Sequence, residues 1–366
     1  MNKETLKNKA LTKLTYSDNL LVGFATGVGK SRVGVEAVDI YLNGGRFLWL
    51  VPEIPLIKNA KDEFIKWGKE DLIQKGDFVC YASIGNMVTN EYSIIILDEV
   101  HNCLSGNRID SLSKIKTKKR VGLTATINEE EKKTLSKVCT WTEENISLSE
   151  SIEQGILPTP TVHILRIDLD DKEKTLEYYY KKGQQPVKCT QREYYDRLSK
   201  QIATYKEQFE EEGNKFAGNK MRQLGMKRQQ FLAECKEKKL QQIIDRLGNE
   251  RYICFCGSVE QAKKFGGDNT CSSKSTKSKN EKTIAKFNNG EINNIFAKEM
   301  LKEGINLVNT KYGIVVQLGN SSRDLVQQLG RTIRHKTPIF VVIIANNTVD
   351  ERFLTKSFAG NEKLLS

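Results

Sequence analysis

The segment FATGVGKS (24–31) follows an apolar run and opens a helix-forming stretch, and it constrains the fold more than any other part of the chain. Gly27 and Gly29 let the backbone curl until its N–H groups converge on phosphate oxygens. A helix N-terminus directly behind the loop adds favourable partial charge. Lys30 can reach the β- and γ-phosphates, and the Ser31 hydroxyl can ligate Mg²⁺. Ala25, Thr26, Gly27, Val28, Gly29, Lys30, Ser31 and Arg32 form the expected nucleotide cradle. A strand–loop–helix unit of this kind belongs in a parallel α/β sheet. The general pattern for such loops puts glycine at 24, where this chain has Phe24.

SIIILDEVHN (93–102) is an apolar strand ending in adjacent carboxylates. Alternation along a strand turns successive side chains to opposite sides. Asp98 is then expected to hold Mg²⁺ through its water shell, and Glu99 to face the attacking water as a general base. His101 lies just beyond, placed to link the nucleotide site to a neighbouring strand end. Taken alone, the acids are equally a polar turn. Behind a phosphate loop they supply the other half of one site.

Short β-branched runs separated by helix-length segments recur in two series: 20–26, 47–52, 78–83, 93–99 and 120–126, then 161–169, 251–257, 294–299, 312–319 and 340–346. Two parallel sheets follow. In a chain of 366 residues they make two domains, 1–150 and 151–366, with the break in SESIEQGILPTPTV. Within the second domain, Tyr195, Leu198, Ile202, Tyr205 and Phe209, and later Leu240, Ile243, Ile244 and Leu247, recur at helical spacing. They predict a helical hairpin inserted at about 172–248 and turning near 213–218. CSSKSTKSKNEK (271–282) reads as an exposed loop, and KIKTKKR (114–120) as a solvated helix end.

The net charge of +12 favours a polyanionic partner, of which nucleic acid is the commonest. The eight cysteines include no CxxC pair, which argues against a zinc site and fits a reducing cytosol. No apolar run is long enough to span a membrane, and MNKETLKNKALTKL lacks the core of a secretory signal.

Further strings then fall in order along the chain. They are LVPEIPLIKNAKDEF (50–64), GLTATI (122–127), YICFCGSVEQA (252–262), AKEMLKEGINL (297–307) and QQLGRTIR (327–334). Together with ATGVGKS and Asp98-Glu99-Val100-His101, the set resembles the superfamily 2 helicases of the DExH kind. It looks closest to the type III restriction enzyme and viral DNA helicase group, which TVDERFLTK (348–356) and Asn306 also resemble. The resemblance implies two tandem RecA-like domains that hydrolyse ATP with Mg²⁺ at their interface. Arg334 would be the arginine finger, Arg331 a second phosphate contact, and Gln327 an orienting group on the same helical face. Gly304 and Asn306 would touch nucleotide, and Thr124 and Thr126 would couple the two activities. Val51, Pro52, Gly257, Ser258 and Lys298 would contact nucleic acid. Relatives read adenine with a glutamine ahead of the loop, and none occurs in residues 1–23.

The expected activity is that of an ATP-dependent DNA helicase or translocase. Alternatives are an RNA helicase of the same fold, a nucleotide-gated clamp that does not unwind, and a packaging motor, which would not need QQLGRTIR. Arg222, Lys227 and Arg228 in the hairpin are candidate contacts to duplex phosphates. No nuclease or zinc module is visible, which leaves room for protein partners in a replication, repair or recombination complex. The compact form points by family analogy to a viral or mobile-element origin, and so to the host cytoplasm.

Overall fold

The computed structural model describes residues 1–179, 185–298, 307–319, 325, 327–330 and 335–365. The chain divides into two compact units, Met1–Thr159 and Pro160–Ser366. The division lies inside SESIEQGILPTPTV but past the expected boundary near 150. Leu157 lies against Gly27 and so belongs to the first unit.

The first unit is a sheet of six parallel strands: β1 (Asn19–Phe24), β2 (Phe47–Val51), β3 (Gly76–Cys80), β4 (Glu91–Leu97), β5 (Lys116–Thr124) and β6 (Thr142–Ile146). They lie in the order β3-β2-β4-β5-β1-β6. Helices α1 (Lys3–Thr15), α2 (Lys30–Tyr41), α3 (Leu56–Lys66), α4 (Gly106–Lys114), α5 (Glu129–Leu135) and α6 (Leu148–Glu153) complete it. All five residues of β2 are buried, as a strand covered on both faces requires. Phe47, Trp49, Phe64 and Phe78 form an aromatic cluster that fastens α3 to β2 and β3. Because every strand runs the same way, residues 25–29, 52–55, 98–99 and 125–128 all emerge at one edge of the sheet. Part of KIKTKKR proves to be strand rather than helix end, with β5 starting at Lys116.

The second unit repeats this plan with β7 (Thr161–Ile167), β10 (Tyr252–Phe255), β11 (Thr270–Ser272), β12 (Asn294–Lys298), β13 (Tyr312–Val315) and β14 (Ile339–Ala345), again all parallel. Their order is β11-β12-β10-β13-β14-β7. Between β7 and β10 come a small antiparallel ribbon, β8 (Leu176–Tyr178) with β9 (Val187–Cys189), and three helices, α7 (Gln191–Glu212), α8 (Lys215–Cys235) and α9 (Glu237–Leu247). The hairpin is therefore α7 and α8 alone. The α9 residues Leu240 and Ile243 join the core of the sheet with Tyr252, Phe296 and Ile314.

CSSKSTKSKNEK is not a loop. It holds β11 and the start of α11 (Lys277–Asn288). The buried Asn280 amide accepts from Ser272 N–H and donates to Ser272 C=O, replacing strand pairing with a side chain. The last helix is α12 (Val349–Ser357). Among the described residues, no helix is long and apolar enough to cross a membrane.

Candidate nucleotide and nucleic-acid site

In the first unit the phosphate loop leaves β1 at Phe24, and Ala25 N–H donates to Ile146 C=O at 3.1 Å, tying the loop to β6. Gly27 and Gly29 have φ of 93° and 119°, values that side-chain-bearing residues rarely adopt. No side chain caps α2 at Gly29, so the first N–H groups of that helix are left for an anion. Ala25 and Val28 are buried and offer only backbone. Lys3, from α1, donates to Gly27 C=O at 2.7 Å and braces the loop from outside.

Lys30 Nζ donates to Phe24 C=O at 3.1 Å and lies 3.9 Å from Glu99 Oε1. Asp98 and Glu99 both lie beyond β4, which ends at Leu97, so strand alternation does not separate them. A left-handed turn at Glu99 does, with φ 46° and ψ 59°. Such a conformation costs a non-glycine residue about 1–3 kcal/mol. Asp98 is held by its backbone: its N–H donates to Leu50 C=O and its C=O accepts from Tyr81. Glu99 Oε2 is buried without a hydrogen-bond partner and lies 3.7 Å from His101 Nδ1.

A relay leads away from Glu99. The Asn102 amide donates to Glu99 C=O and contacts His101 Nε2 at 3.1 Å. His101 Nδ1 lies 3.3 Å from the fully buried Thr124 hydroxyl, which donates to Thr126 C=O at 2.8 Å. With Nε2 accepting from Asn102, the imidazole proton sits on Nδ1 and every member of the chain is satisfied.

Four expected contact residues, Arg32, Val51, Gly257 and Ser258, are engaged elsewhere. The Arg32 guanidinium pairs with Glu4 and Glu36 and stacks on Trp67, fastening α2 to α1 and α3 instead of facing phosphate. Val51 is sealed in the core, and the exposed residues after β2 are Glu53, Ile54 and Pro55, with Pro52 half-buried. In the second unit, Ser258 caps helix α10 (Val259–Gly266) by accepting from Gln261 N–H, and Gly257 N–H donates to Gln261. A Cβ on Gly257 would lie 2.2 Å from Ala233 Cβ, so glycine is there to let α8 approach the end of β10. Lys298 closes β12, half-buried. Gln327 is buried in a helical segment, 327–330. Gly304, Asn306, Arg331 and Arg334 lie outside the described residues.

One cluster had no sequence signal. Lys236, at the joint of α8 and α9, is fully buried against the fully buried Asp350 at 2.6 Å. Burial pulls the lysine's pKa down, and Asp350 opposes that pull. A lysine followed by Glu237 and Lys238 reads as surface, and only the fold reveals its acceptors. Burial also pushes the thiols of Cys103, Cys235 and Cys271 up to about 12, which leaves them protonated and poor nucleophiles.

Residues 2–87 match the family model of the type III restriction enzyme res subunit, and residues 235–336 that of the helicase conserved C-terminal domain. The DNA 3'-5' translocase XPB2 of Sulfurisphaera tokodaii is 24% identical over 368 residues, spanning 91% of this chain and 79% of that protein. The Hef helicase domain of Pyrococcus furiosus aligns with a TM-score of 0.55 at 16% identity, over 97% of both chains. The chain is a superfamily 2 helicase. Its two parallel sheets are the tandem RecA-like domains of that superfamily, which the motif order implied. The first family match covers the phosphate loop and the strand ahead of Pro52. The second runs from the α8–α9 joint through the segment holding Gln327, Arg331 and Arg334.

Proposed function

We propose that the chain is a nucleic-acid-stimulated ATPase that works as a DNA translocase or helicase. The observation that carries the reading is Glu99: a carboxylate in a left-handed turn, 3.9 Å from Lys30, with a buried oxygen that makes no hydrogen bond and lies 3.7 Å from His101 Nδ1. An unpartnered buried oxygen is costly unless a ligand or water completes it. In this reading that oxygen accepts a proton from the water that attacks the terminal phosphate.

Lys30 and the loop N–H groups hold the phosphates, and Lys3 keeps the loop in its open curl. Ser31 and Asp98 form an all-oxygen donor pair suited to Mg²⁺, which when bound supplies charge compensation at the phosphates. Arg331 and Arg334, in the string QQLGRTIR, are the candidate cations for the rest of the charge balance. The relay through His101 and Thr124 carries the state of Glu99 to the end of β5. The exposed residues 53–55 emerge at the same sheet edge and offer a backbone-contacting surface for a nucleic-acid strand. The curated relative named a DNA 3'-5' translocase makes DNA the substrate to test first, and 3'-5' the direction.

The test is Glu99→Gln. ATP hydrolysis with single-stranded DNA should fall by about 10²–10⁴ in kcat, the usual worth of a positioned base, while binding of a fluorescent ATP analogue persists. Turnover at the wild-type rate would remove Glu99 from the chemistry and the reading with it.

A further inference from the structure

Lys3, on the first turn of α1, donates to Gly27 C=O at 2.7 Å. That carbonyl shares one rigid peptide plane with Val28 N–H, which closes the turn of the phosphate loop on Ala25 C=O at 3.2 Å. Gly27 and Gly29 have no Cβ to hold the loop in one shape, so a bond to that plane from outside bears directly on its geometry.

A closed ring of charges sets where Lys3 lies. One turn along α1, Lys7 pairs with Glu4 and Glu36 at 2.6 Å each. Arg32 of α2 pairs with the same two carboxylates at 2.7 and 2.8 Å. All four carboxylate oxygens are used. The ring continues sideways, because the Arg32 guanidinium lies 4.2 Å over the ring of Trp67, just past the end of α3. A second tie runs beside it, from Lys69 to Asp39 of α2 at 2.5 Å. At its other end α3 grows out of the exposed turn 53–55. Leu56 N–H donates to Glu53 C=O at 3.0 Å, and Ile57 N–H to Ile54 C=O at 3.1 Å. An unbroken run of contacts within the first unit therefore joins that turn to the phosphate loop, through α3, Trp67, Arg32, the ring and Lys3.

Adhesion alone is a weak account of the ring. Leu6, Ala10, Leu11 and Leu14 already bury an apolar side of α1. Ion pairs near the surface add little to stability. What the ring adds is direction, because a planar guanidinium can meet two carboxylates and an aromatic face at once.

We propose that Lys3 is a positioning residue for nucleotide binding, and that the Glu4–Lys7–Arg32–Glu36 ring with Trp67 carries to it the nucleic-acid-bound state of the 53–55 turn. A strand held at 53–55 displaces α3, and the phosphate loop then grips the triphosphate more tightly. This route is separate from the relay through His101 and Thr124, which starts at Glu99. The inference rests on the reading that the 53–55 turn contacts the strand.

The experiment uses the full chain as wild type, Lys3→Met, Lys3→Arg, Arg32→Lys and Ile54→Asp. Affinity for a fluorescent ATP analogue is measured with and without saturating single-stranded DNA, and affinity for the DNA with and without the analogue. In the wild type, DNA should tighten analogue binding at least about fivefold, and the analogue should tighten DNA binding by the same factor. Lys3→Met and Arg32→Lys should bring that factor below about twofold in both directions, as loss of a coupling contact predicts. Lys3→Arg keeps a donor for Gly27 C=O and should keep the factor; a loss as large as in Lys3→Met would count against a donor role. A brace that only holds the loop would weaken analogue binding equally with and without DNA and leave the factor at its wild-type value, and that result would overturn the proposal. So would a wild-type factor of one. Ile54→Asp puts a negative charge on the exposed turn and should weaken DNA binding by itself. If it does not, the reading of that surface fails and the route fails with it. If it does while Lys3→Met and Arg32→Lys keep the wild-type factor, the inference alone fails.

Discussion

Thr124 carries more of the coupling argument than its size suggests. Its hydroxyl is fully buried, faces His101 Nδ1 at 3.3 Å and donates to Thr126 C=O at 2.8 Å. Valine at 124 keeps the shape and removes both interactions. One lost hydrogen bond is worth about 0.5–1.5 kcal/mol, so the ratio of DNA-stimulated to basal kcat should fall about threefold to tenfold in Thr124→Val. An unchanged ratio would disconnect the relay from DNA sensing. Gly257 shows where residue-level reading stops. Beside Ser258 in a helicase-like string it looks like a nucleic-acid contact, yet a Cβ there meets Ala233 Cβ at 2.2 Å. Its reason is a helix from a distant part of the chain, which no local pattern records. Lys30 and Glu99 were legible because their chemistry is local: a loop and a turn, each adjoining a strand end. Lys236 was not, because its acceptors lie about eighty and more residues away, at separations that sequence spacing does not reveal.

Helix α6 looks peripheral but bears on the site. Ser147 accepts from Glu150 N–H, and the Glu150 side chain accepts from Ser147 N–H, a reciprocal cap. The turn that follows carries Leu157 to Gly27. Removing the cap in Ser147→Ala should cost about 1 kcal/mol, and lower the midpoint of thermal unfolding by about 2–4 °C. The bond from Ser147 N–H also holds Glu150 below its ordinary 4.5. Its contribution is therefore fully present above that value and fades as pH falls through the lower folded-state value. Glu150→Gln should flatten the acid limb of the stability curve in thermal scans from pH 6 to pH 3. Elements with continuous apolar runs were legible from sequence, and β2 and β14 begin and end within a residue or so of their expected bounds. The edge strands β6 and β11 were not, although the edge strands β3 and β7 were. β6 turns only Glu144 and Ile146 inward, and Glu144 is paired by Lys9 and Lys13 of α1. β11 is three small polar-to-neutral residues held by the Asn280 amide. Burial satisfied by side-chain bonds leaves no hydrophobic signature to read.

For the whole molecule, the surplus of 58 cationic over 46 anionic side chains must do something that the nucleotide site does not need. Contacts to a nucleic-acid backbone release counterions, and the salt dependence of binding counts them. The hairpin was one expected place for such contacts, through Arg222, Lys227 and Arg228. The structure removes Arg228 from that set: its guanidinium is half-buried, donates to Ser199 and lies over Tyr195, and burial lowers its pKa. Arg222 and Lys227 remain exposed on α8, the lysine with its ammonium 5.6 Å from the Tyr194 ring. If both touch phosphates of a single strand, Arg222→Ala with Lys227→Ala should reduce the slope of log Kobs against log salt by about 1.4, at roughly 0.7 per contact. The measurement is fluorescence-anisotropy binding of a labelled single-stranded oligonucleotide between 50 and 200 mM salt. Arg228→Ala should instead lower the unfolding temperature and leave the slope as it is. A slope untouched by the Arg222 and Lys227 pair would move the binding surface off the hairpin. The exposed residues 53–55 of the first unit would then be the next place to look for the strand.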